Sequence, residues 1–404
     1  SLASYKNVFF QAKRAQNEVI SRQQHWAAEG GLECAYSLAV LDPEHIDPRP
    51  ISSSAVIPPA TMPDILGYEE CGSIGPIMTT NTLSSQDGLT IITATEANTS
   101  VKKIIKMPKA QGQAAITANA DLMLYGSYTI RPNPNTLSSS GKYECLSVRY
   151  SQTFKYKDDG GLIAYPPYDT QYDPIQPSNT LTCEPTFVTN LNIDSFLDQE
   201  NDQASESIFK SDYVFDSHLS PFNDLFGIDV TKKEEVKKGF TVVSGSGDCD
   251  SDITSAFDSG SSLIWIEGNC DMATATQIAS RDTSDGIIVV VENGLLSITG
   301  AVPFSGVLYQ LINNNSYHPS SHDWIGMSGE VWVNAAKSTG IINNIPTAYI
   351  VGSAIPDGTI ILDTPGNLAV IHGSAAIAYN KSKIDHPLKK LLKPKWLKGS
   401  WHDF

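Results

Sequence analysis

The sequence is poor in charge, and basic residues are the scarcer kind. Of its 404 residues 18% are charged, with 28 Lys and Arg against 44 Asp and Glu, for a formal net charge of −16. The chain as a whole is therefore expected to repel phosphate backbones and anionic lipid, and no nucleic acid partner is expected. It also lacks an apolar run of the roughly 20 residues that a membrane-spanning helix needs.

Glycine and proline are not scarce, and this excludes a helical bundle. The chain has 29 Gly and 23 Pro, with abundant Ser, Thr and Asn, and 41% of its residues are hydrophobic. This profile is typical of strands joined by tight turns. The length suffices for two or three domains. The predicted fold class is therefore α+β and mostly β.

The six cysteines form no C-x-x-C pair and have no histidine at zinc-ligand spacing. They fall in three successive pairs, Cys34 with Cys71, Cys145 with Cys183, and Cys249 with Cys270. Nearest-neighbour disulfides in an oxidising compartment fit this order. Six cysteines allow 15 connectivities, so other pairings stay open. Six buried free thiols in a cytosolic protein are the alternative.

A long amphipathic helix is predicted over residues of about 2–41. Five apolar side chains recur at helical spacing and form one stripe: Val8, Ala12, Ala15, Val19 and Trp26. The pattern continues through Gly30-Gly31 and ends at Asp42-Pro43, because proline disfavours helix in the residue before it. The sequence does not start with Met and opens inside this pattern. We therefore expect a targeting or membrane segment upstream of residue 1.

The rest of the chain predicts strands. Signals at 89–93, 101–105, 122–130 and 143–150 indicate an antiparallel sheet that completes, with the helix, a module over 1–185. A loop-rich connector is predicted over 186–235. Short apolar strands over 236–380 favour a β-solenoid, with a β-sandwich as the alternative. Residues 381–404 form a basic tail that we expect to be solvated along the acidic body.

Two parts of the chain resemble a known family. The segment Arg14 to Tyr36, with its core Ala27-Ala28-Glu29-Gly30-Gly31-Leu32-Glu33, resembles the helix that follows the membrane segment in minor pilins of the PilX type. The second half is similar to the C-terminal domain of long PilX-like proteins. The stretches that carry this similarity are Gly260–Cys270, Ile287–Val291, Phe304–Tyr309, Gly373–Tyr379 and Gly399–Phe404.

The resemblance implies a non-enzymatic subunit of a type IV pilus whose hydrophobic N-terminal half-helix precedes residue 1. Its partners would be other minor pilins, the major pilin and a PilY-type tip adhesin, with the inner membrane reached through that N-terminal segment. The protein would lie in an extracellular pilus of a Gram-negative bacterium, with a periplasmic head before assembly. The assembly surface would be on the helix, at Val8, Ala12, Ala15, Val19, Trp26, Glu29, Gly30 and Leu32.

Candidate metal sites are weak. Asp248, Asp250 and Asp252 have a spacing that could gather oxygen ligands for calcium, but the glycine and distal glutamate of the calcium-binding loop are missing. An acidic turn beside a disulfide is the favoured interpretation. The segment His318 to Asp323 reads as a loop rather than a metal site. No catalytic or cofactor-binding signature is present, so no catalytic residue and no cofactor is predicted.

An aromatic stretch offers a different function. Tyr156, Tyr165, Tyr168 and Tyr172 could form an exposed recognition surface, although packing under a long loop is favoured. The alternative to a pilus subunit is accordingly a secreted β-helix protein that binds or cleaves carbohydrate.

Overall fold

The computed structural model describes residues 2–41, 77–81, 89–97, 99–106, 113–167, 181–191, 196–200, 208–245, 247–273, 278, 283, 285–300, 303–313, 317–352, 355–391, 395–397, 399 and 402–403. The chain divides into two compact units. The first unit comprises residues 1–109 and 392–404, and the second unit comprises residues 110–391.

The helices are α1 (Leu2–Leu41), α2 (Pro221–Phe226), α3 (Lys233–Lys237), α4 (Cys249–Asp258), α5 (Glu330–Ser338) and α6 (Lys381–Leu391). The strands are β1 (Ile77–Asn81), β2 (Leu89–Glu96), β3 (Thr99–Lys106), β4 (Ile116–Arg131), β5 (Asn133–Leu137), β6 (Tyr143–Leu146), β7 (Val148–Tyr150), β8 (Thr153–Ala164), β9 (Phe196–Glu200), β10 (Tyr213–Phe215), β11 (Thr241–Ser244), β12 (Gly247–Asp248), β13 (Leu263–Glu267), β14 (Cys270–Met272), β15 (Ile287–Glu292), β16 (Leu296–Thr299), β17 (Pro303–Leu311), β18 (Pro346–Val351), β19 (Ile355–Tyr379), β20 (Lys395–Trp396) and β21 (His402–Asp403). The predicted α+β, mostly β class is confirmed.

The first unit is a helix packed on an antiparallel sheet. The predicted helix over 2–41 is confirmed as α1. Strands β1, β2 and β3 pair antiparallel in that order, which confirms the predicted antiparallel strands at 89–93 and 101–105. β20 and β21 both pair antiparallel with β3, so the last residues of the chain complete a sheet that begins near residue 77. None of the described helices is long and apolar enough to cross a membrane.

The second unit contains two ladders of parallel strands. β11, β13, β15 and β17 pair successively in one ladder, and β12, β14, β16 and β18 pair successively in the other. Each strand thus pairs with the next but one along the chain. β19 is long enough to join both ladders, through Thr359 opposite Val307 and Ile371 opposite Ile350. All six residues of β15 are buried, as expected for a strand covered on both faces.

The second unit also takes in strands that the sequence assigned elsewhere. β4 pairs in parallel with β19 along both ladders, for example Ile116 with Ile360 and Ile130 with Ile377. β7 and β8 then pair in parallel with β4. The prediction that strands at 122–130 and 143–150 belong to the antiparallel sheet of the first module was therefore wrong. Local composition shows that a strand forms, but pairing with a strand about 245 residues away leaves no local signal.

The observed division of the chain differs from the predicted one. The predicted boundaries lie near residues 185, 235 and 380, whereas the observed ones lie at 109 and 391. Residues 381–404 do not form one solvated basic tail. α6 buries Ile384 and Leu388, while β20 and β21 belong to the first unit. Apolar side chains between the lysines direct both segments into cores.

Candidate assembly surface

The helix α1 changes character along its length. Every residue from 5 to 23 is exposed, whereas from residue 24 onward buried and half-buried positions recur. Ala28, Leu32 and Ala35 are fully buried and cluster with four side chains of β2 and β3, namely Ile92, Ala94, Val101 and Ile105. Burying a leucine contributes about 1.5–3 kcal/mol, so this contact anchors the C-terminal part of the helix to the sheet.

Polar and aromatic contacts reinforce the anchored part. Lys103 of β3 donates to Glu33 at 2.9 Å. The ring of Trp396, from β20, stacks on Tyr36 with centroids 4.9 Å apart, and the Lys103 ammonium lies 5.1 Å from the Trp396 centroid. β20 thus contacts the helix as well as the sheet.

The predicted stripe lies on the side of α1 that faces away from the sheet. At about 100° per residue, Val8, Ala12, Ala15, Val19 and Trp26 fall within an arc of about 60°. The sheet-facing residues Ala28, Leu32 and Ala35 are centred about 160° from that arc. All five stripe residues are exposed, with Trp26 at 71%. An apolar stripe that its own unit leaves in water is a surface suited to another protein.

The other predicted assembly residues are divided between surface and core. Gly30 is exposed and falls on the same arc as the stripe, and Glu29 is half-buried. Leu32 has no exposed surface and packs on the sheet. Within the isolated chain, Leu32 therefore belongs to the core of the first unit rather than to the surface of the helix.

Sequence reasoning missed three aromatic residues near the start of α1. Tyr5, Phe9 and Phe10 are 75%, 50% and 65% exposed and lie outside the five-residue stripe. The sequence contains a sign of them. Large apolar side chains next to Lys6, Lys13 and Arg14 do not fit a helix with one apolar face and one polar face.

The cysteine prediction is confirmed where the structure describes both partners. Cys145 is bonded to Cys183 and Cys249 to Cys270. Cys34 is also disulfide-bonded. Cys71, the partner expected for it, lies outside the described residues.

The acidic run near residue 250 opens a helix instead of forming a turn. Asp250 and Asp252 lie in the first turn of α4, where carboxylates favourably meet the helix dipole. Asp250 is buried and its Oδ1 accepts a hydrogen bond from the Ile278 amide at 3.2 Å. At the second candidate, Asp323 accepts hydrogen bonds from the amide and hydroxyl of Ser320 and so caps a short 3₁₀ helix, Ser321–Trp324. Across the described residues, no group of three or more potential ligands could hold a metal ion.

The predicted aromatic surface is only partly formed. Tyr156 is fully buried within an aromatic core, as the favoured interpretation expected. Tyr165 is 43% exposed, and the Arg131 guanidinium lies 5.2 Å from its ring centroid. Tyr168 and Tyr172 lie outside the described residues. Tyr165 alone therefore remains as a described, accessible member of the set.

Two buried carboxylates of the second unit have opposite electrostatic surroundings. Burial raises the pKa of Asp363, and hydrogen bonds from Tyr309 at 2.7 Å and Asn119 at 2.8 Å only partly offset this. Burial would also raise the pKa of Glu292. Here hydrogen bonds from Lys233, Lys237 and Trp265 outweigh burial, and the pKa is lowered. Both carboxylates bridge successive strands of the ladders and hold them together.

Comparison with known proteins adds little to this picture. No protein-family model matches the chain, and no curated protein matches it. Among solved structures it is similar to the crystal structure of the competence-associated pilin ComZ from Thermus thermophilus, at 12% identity over 95% of this chain and 97% of that chain, with a TM-score of 0.22. A TM-score this low does not establish a common fold, so the likeness carries no inference about fold or function.

Proposed function

We propose that this chain is a minor pilin of the PilX type, a non-enzymatic subunit of a type IV pilus, and that the stripe of α1 is its assembly surface. One observation carries the proposal: the stripe is exposed on the side of the helix opposite its own sheet. An intramolecular core does not need these side chains, so another molecule is the partner that would cover them.

The physical driving force is burial of the stripe against neighbouring helices. Each large apolar side chain that leaves water contributes about 1.5–3 kcal/mol, and the small residues Ala12, Ala15 and Gly30 allow close approach of a second helix. Contacts of this kind between unlike surfaces repeat without closing, which is the requirement of a filament. Other minor pilins and the major pilin are the proposed neighbours. A PilY-type tip adhesin is the proposed partner at the tip or in a priming complex.

The second unit would then be the part displayed for adhesion or partner binding. We interpret it as a β-solenoid, which the successive parallel pairing of next-but-one strands supports. The bonds Cys145–Cys183 and Cys249–Cys270 are in keeping with a periplasmic or extracellular pilus location. The resemblance of Arg14 to Tyr36 to PilX-type helices gives the proposal its family.

A matched pair of substitutions tests the assembly role. Val19→Asp places a charge in the stripe, whereas Ser21→Asp places the same charge at an exposed position on the opposite side of α1. Each variant is expressed from the full-length gene in a strain that lacks the natural copy. We then measure the amount of the protein in sheared surface filaments and in the envelope.

The two variants should differ clearly in the amount of protein found in the filament fraction. We expect Val19→Asp to be depleted at least tenfold from the filament fraction while its envelope level stays normal, and Ser21→Asp to behave as wild type. Equal recovery of both variants in filaments would show that the stripe is not the assembly surface. Absence of wild-type protein from filaments, and of pilins from its affinity purification, would overturn the pilus role itself.

A carbohydrate-binding role is the second candidate, and the exposed ring of Tyr165 beside Arg131 favours it. An aromatic face with a neighbouring cation can stack on a sugar and bind its substituents. On a glycan array, Tyr165→Ala should then abolish wild-type binding, while Leu137→Ala, which also shortens an exposed apolar side chain, should retain it. No binding by the wild-type protein would remove this candidate.

A further inference from the structure

The start of α1 has a second exposed surface, distinct from the stripe. Lys6, Phe9, Phe10, Lys13 and Arg14 fall on one side of the helix within an arc of about 140°, away from the stripe. We call these five residues the basic-aromatic patch. All of them are exposed to solvent. The two rings contact each other edge to face, with centroids 6.5 Å apart.

The cations of this patch have no acidic partner among the described residues. Lys13 lies over the Phe9 ring with its ammonium 5.1 Å from the centroid, and none of Lys6, Lys13 and Arg14 is within salt-bridge distance of a carboxylate that the structure describes. By contrast, Arg22, further along the same helix, pairs with Glu18 at 2.7 Å. Three cations without a described acidic partner thus lie beside two exposed rings. Such a surface suits a partner that combines anionic groups with an apolar layer.

Charge is distributed unevenly along the chain, so the net charge of the whole chain does not describe the surface of α1. Residues 2–27 contain four basic residues and one acidic residue, a net charge of +3, although the whole chain carries −16. Repulsion of anionic surfaces is thus a property of the rest of the chain. The exposed part of α1 has the opposite sign and attracts them within a Debye length of about 8–10 Å.

We propose that the basic-aromatic patch binds the surface of an anionic phospholipid bilayer. The three cations would meet headgroup phosphates, and the two phenyl rings would enter the boundary between headgroups and acyl chains. Phenylalanine has no polar group to keep in water, so its rings gain from an apolar phase that a nucleic acid backbone or an acidic protein surface does not offer. The combination of cations and rings on one helical side therefore favours lipid.

This inference goes beyond the proposed pilus role and does not depend on it. The stripe and the patch occupy different sides of α1, so a partner helix on one leaves the other free. Binding of the patch would hold the exposed part of the helix at a membrane surface, whether or not the stripe meets other subunits.

Vesicle co-sedimentation of the full chain tests the proposal. The probes are vesicles of phosphatidylcholine alone and of phosphatidylcholine with 30% phosphatidylglycerol, and a duplex oligonucleotide at the same salt concentration. The charge variant combines Lys6→Glu, Lys13→Glu and Arg14→Glu. Its matched control, with the same change in net charge, combines Lys142→Glu, Lys238→Glu and Lys337→Glu, all at exposed positions of the second unit. A further variant, Phe9→Ser with Phe10→Ser, removes the rings and keeps the cations.

Wild type and the control should bind the anionic vesicles and not the neutral ones. Each cation at an anionic surface contributes about a fivefold gain, so loss of three cations weakens binding on the order of 100-fold. The charge variant should bind at least that much more weakly, because its three new carboxylates also repel the surface. The ring variant should lose at least tenfold, and Val19→Asp should bind as wild type even if it fails to assemble. Equal losses in the control variant, or an undiminished affinity in the ring variant, would overturn the proposal. Equal binding to the oligonucleotide would show a general anion surface instead of a lipid one.

Discussion

Single buried side chains in the second unit show how partners decide the sign of an electrostatic effect. Glu292 is surrounded by donors from α3 and β13, so its charged form is favoured despite burial. Asp363 has two neutral donors and the repulsion of Asp224, so its charged form is disfavoured. The two carboxylates should therefore respond to pH in opposite directions.

For Glu292, we predict that loss of the carboxylate lowers the free energy of unfolding at pH 7 and has a smaller effect at acidic pH. Glu292→Gln removes the negative charge and one of the two oxygens that accept from Lys237 and Lys233, and it should lower the free energy of unfolding by about 2 kcal/mol at pH 7. Because the folded-state pKa is lowered, the stabilisation by the wild-type carboxylate is full above the ordinary glutamate pKa and is lost as the pH falls from that value through the lowered one. Denaturant titrations at pH 7 and pH 3.5 measure this. Glu267→Gln, at an exposed partner of the same Lys237, should cost less than about 0.5 kcal/mol. An equal difference in unfolding free energy between wild type and Glu292→Gln at both pH values would contradict the lowered pKa of Glu292.

For Asp363, we predict the opposite dependence of stability on pH. The raised pKa means that the folded state holds its proton more tightly than the unfolded state does, so wild-type stability falls as the pH rises from the ordinary aspartate pKa through the raised one. Asp363→Asn has no such proton. Relative to wild type, this variant should therefore gain stability between pH 4 and pH 8. The same titrations on Asp357→Asn, a more exposed carboxyl on the same strand, serve as the control. A variant that loses stability relative to wild type over this pH interval would refute the prediction.

Neither carboxylate was identified from the sequence, and the reason is physical. Glu292 ends the apolar run Ile287 to Val291, and Asp363 follows Leu362, so each reads as the polar end of a strand. Their partners lie between 27 and 244 residues away. Only the strand register brings donors and acceptors together, and local patterns do not contain it.

The sequence was sufficient to predict where helices and strands form, but not how the strands pair. The 40-residue α1 follows from its unbroken 3.6-residue periodicity and its Pro-free composition. The stripe followed from the same pattern, but which side of the helix the sheet covers depended on Ala28, Leu32 and Ala35. The partner of β4 depended on contacts with β19, far along the chain. The periodicity of a short stretch contains no information about contacts between residues so far apart in the chain.

Glycines line one corner of the ladders where neighbouring strands approach each other closely. Gly126 has φ +133°, and a Cβ placed there would lie 2.2 Å from the carbonyl oxygen of Gly373. Gly373 in turn has φ +109° and would meet Gly352. Only glycine allows both this backbone conformation and this approach. A side chain at any of the three would push the strands apart.

The resulting prediction concerns Gly126→Ala. We expect it to lower the free energy of unfolding by about 3 kcal/mol or more, because backbone strain and a clash with Gly373 act together. Gly141→Ala is the matched control, since Gly141 also has a positive φ of +80° but faces open space. It should cost about 1 kcal/mol from strain alone. Similar losses in both variants, measured by chemical denaturation, would show that the close approach contributes nothing.

Along the whole chain, the second unit is inserted into the first. The first unit starts with α1 and β1 to β3 and ends with β20 and β21, and residues 110–391 lie between these two parts. The sequence did not reveal this order, because the two-residue strands β20 and β21 are too short to show periodicity. Completion of the helix-bearing unit therefore requires the last residues of the chain.

Trp396 offers a direct test of that dependence, because its ring packs on Tyr36 of α1 while its backbone extends the sheet at β3. Trp396→Ala should destabilise the first unit by about 2–3 kcal/mol, less than the full cost of a core tryptophan because the ring is only partly buried. Hydrogen exchange followed by mass spectrometry should show faster exchange in residues 24–36 of α1 and in β3, with β15 of the second unit unchanged. Trp332→Ala, at an exposed tryptophan of the second unit, makes the same chemical change and should leave α1 and β3 unaffected. If Trp396→Ala accelerated exchange in β15 as much as in β3, the two units would unfold together, and the C-terminal strands would stabilise the whole chain instead of the helix-bearing unit alone.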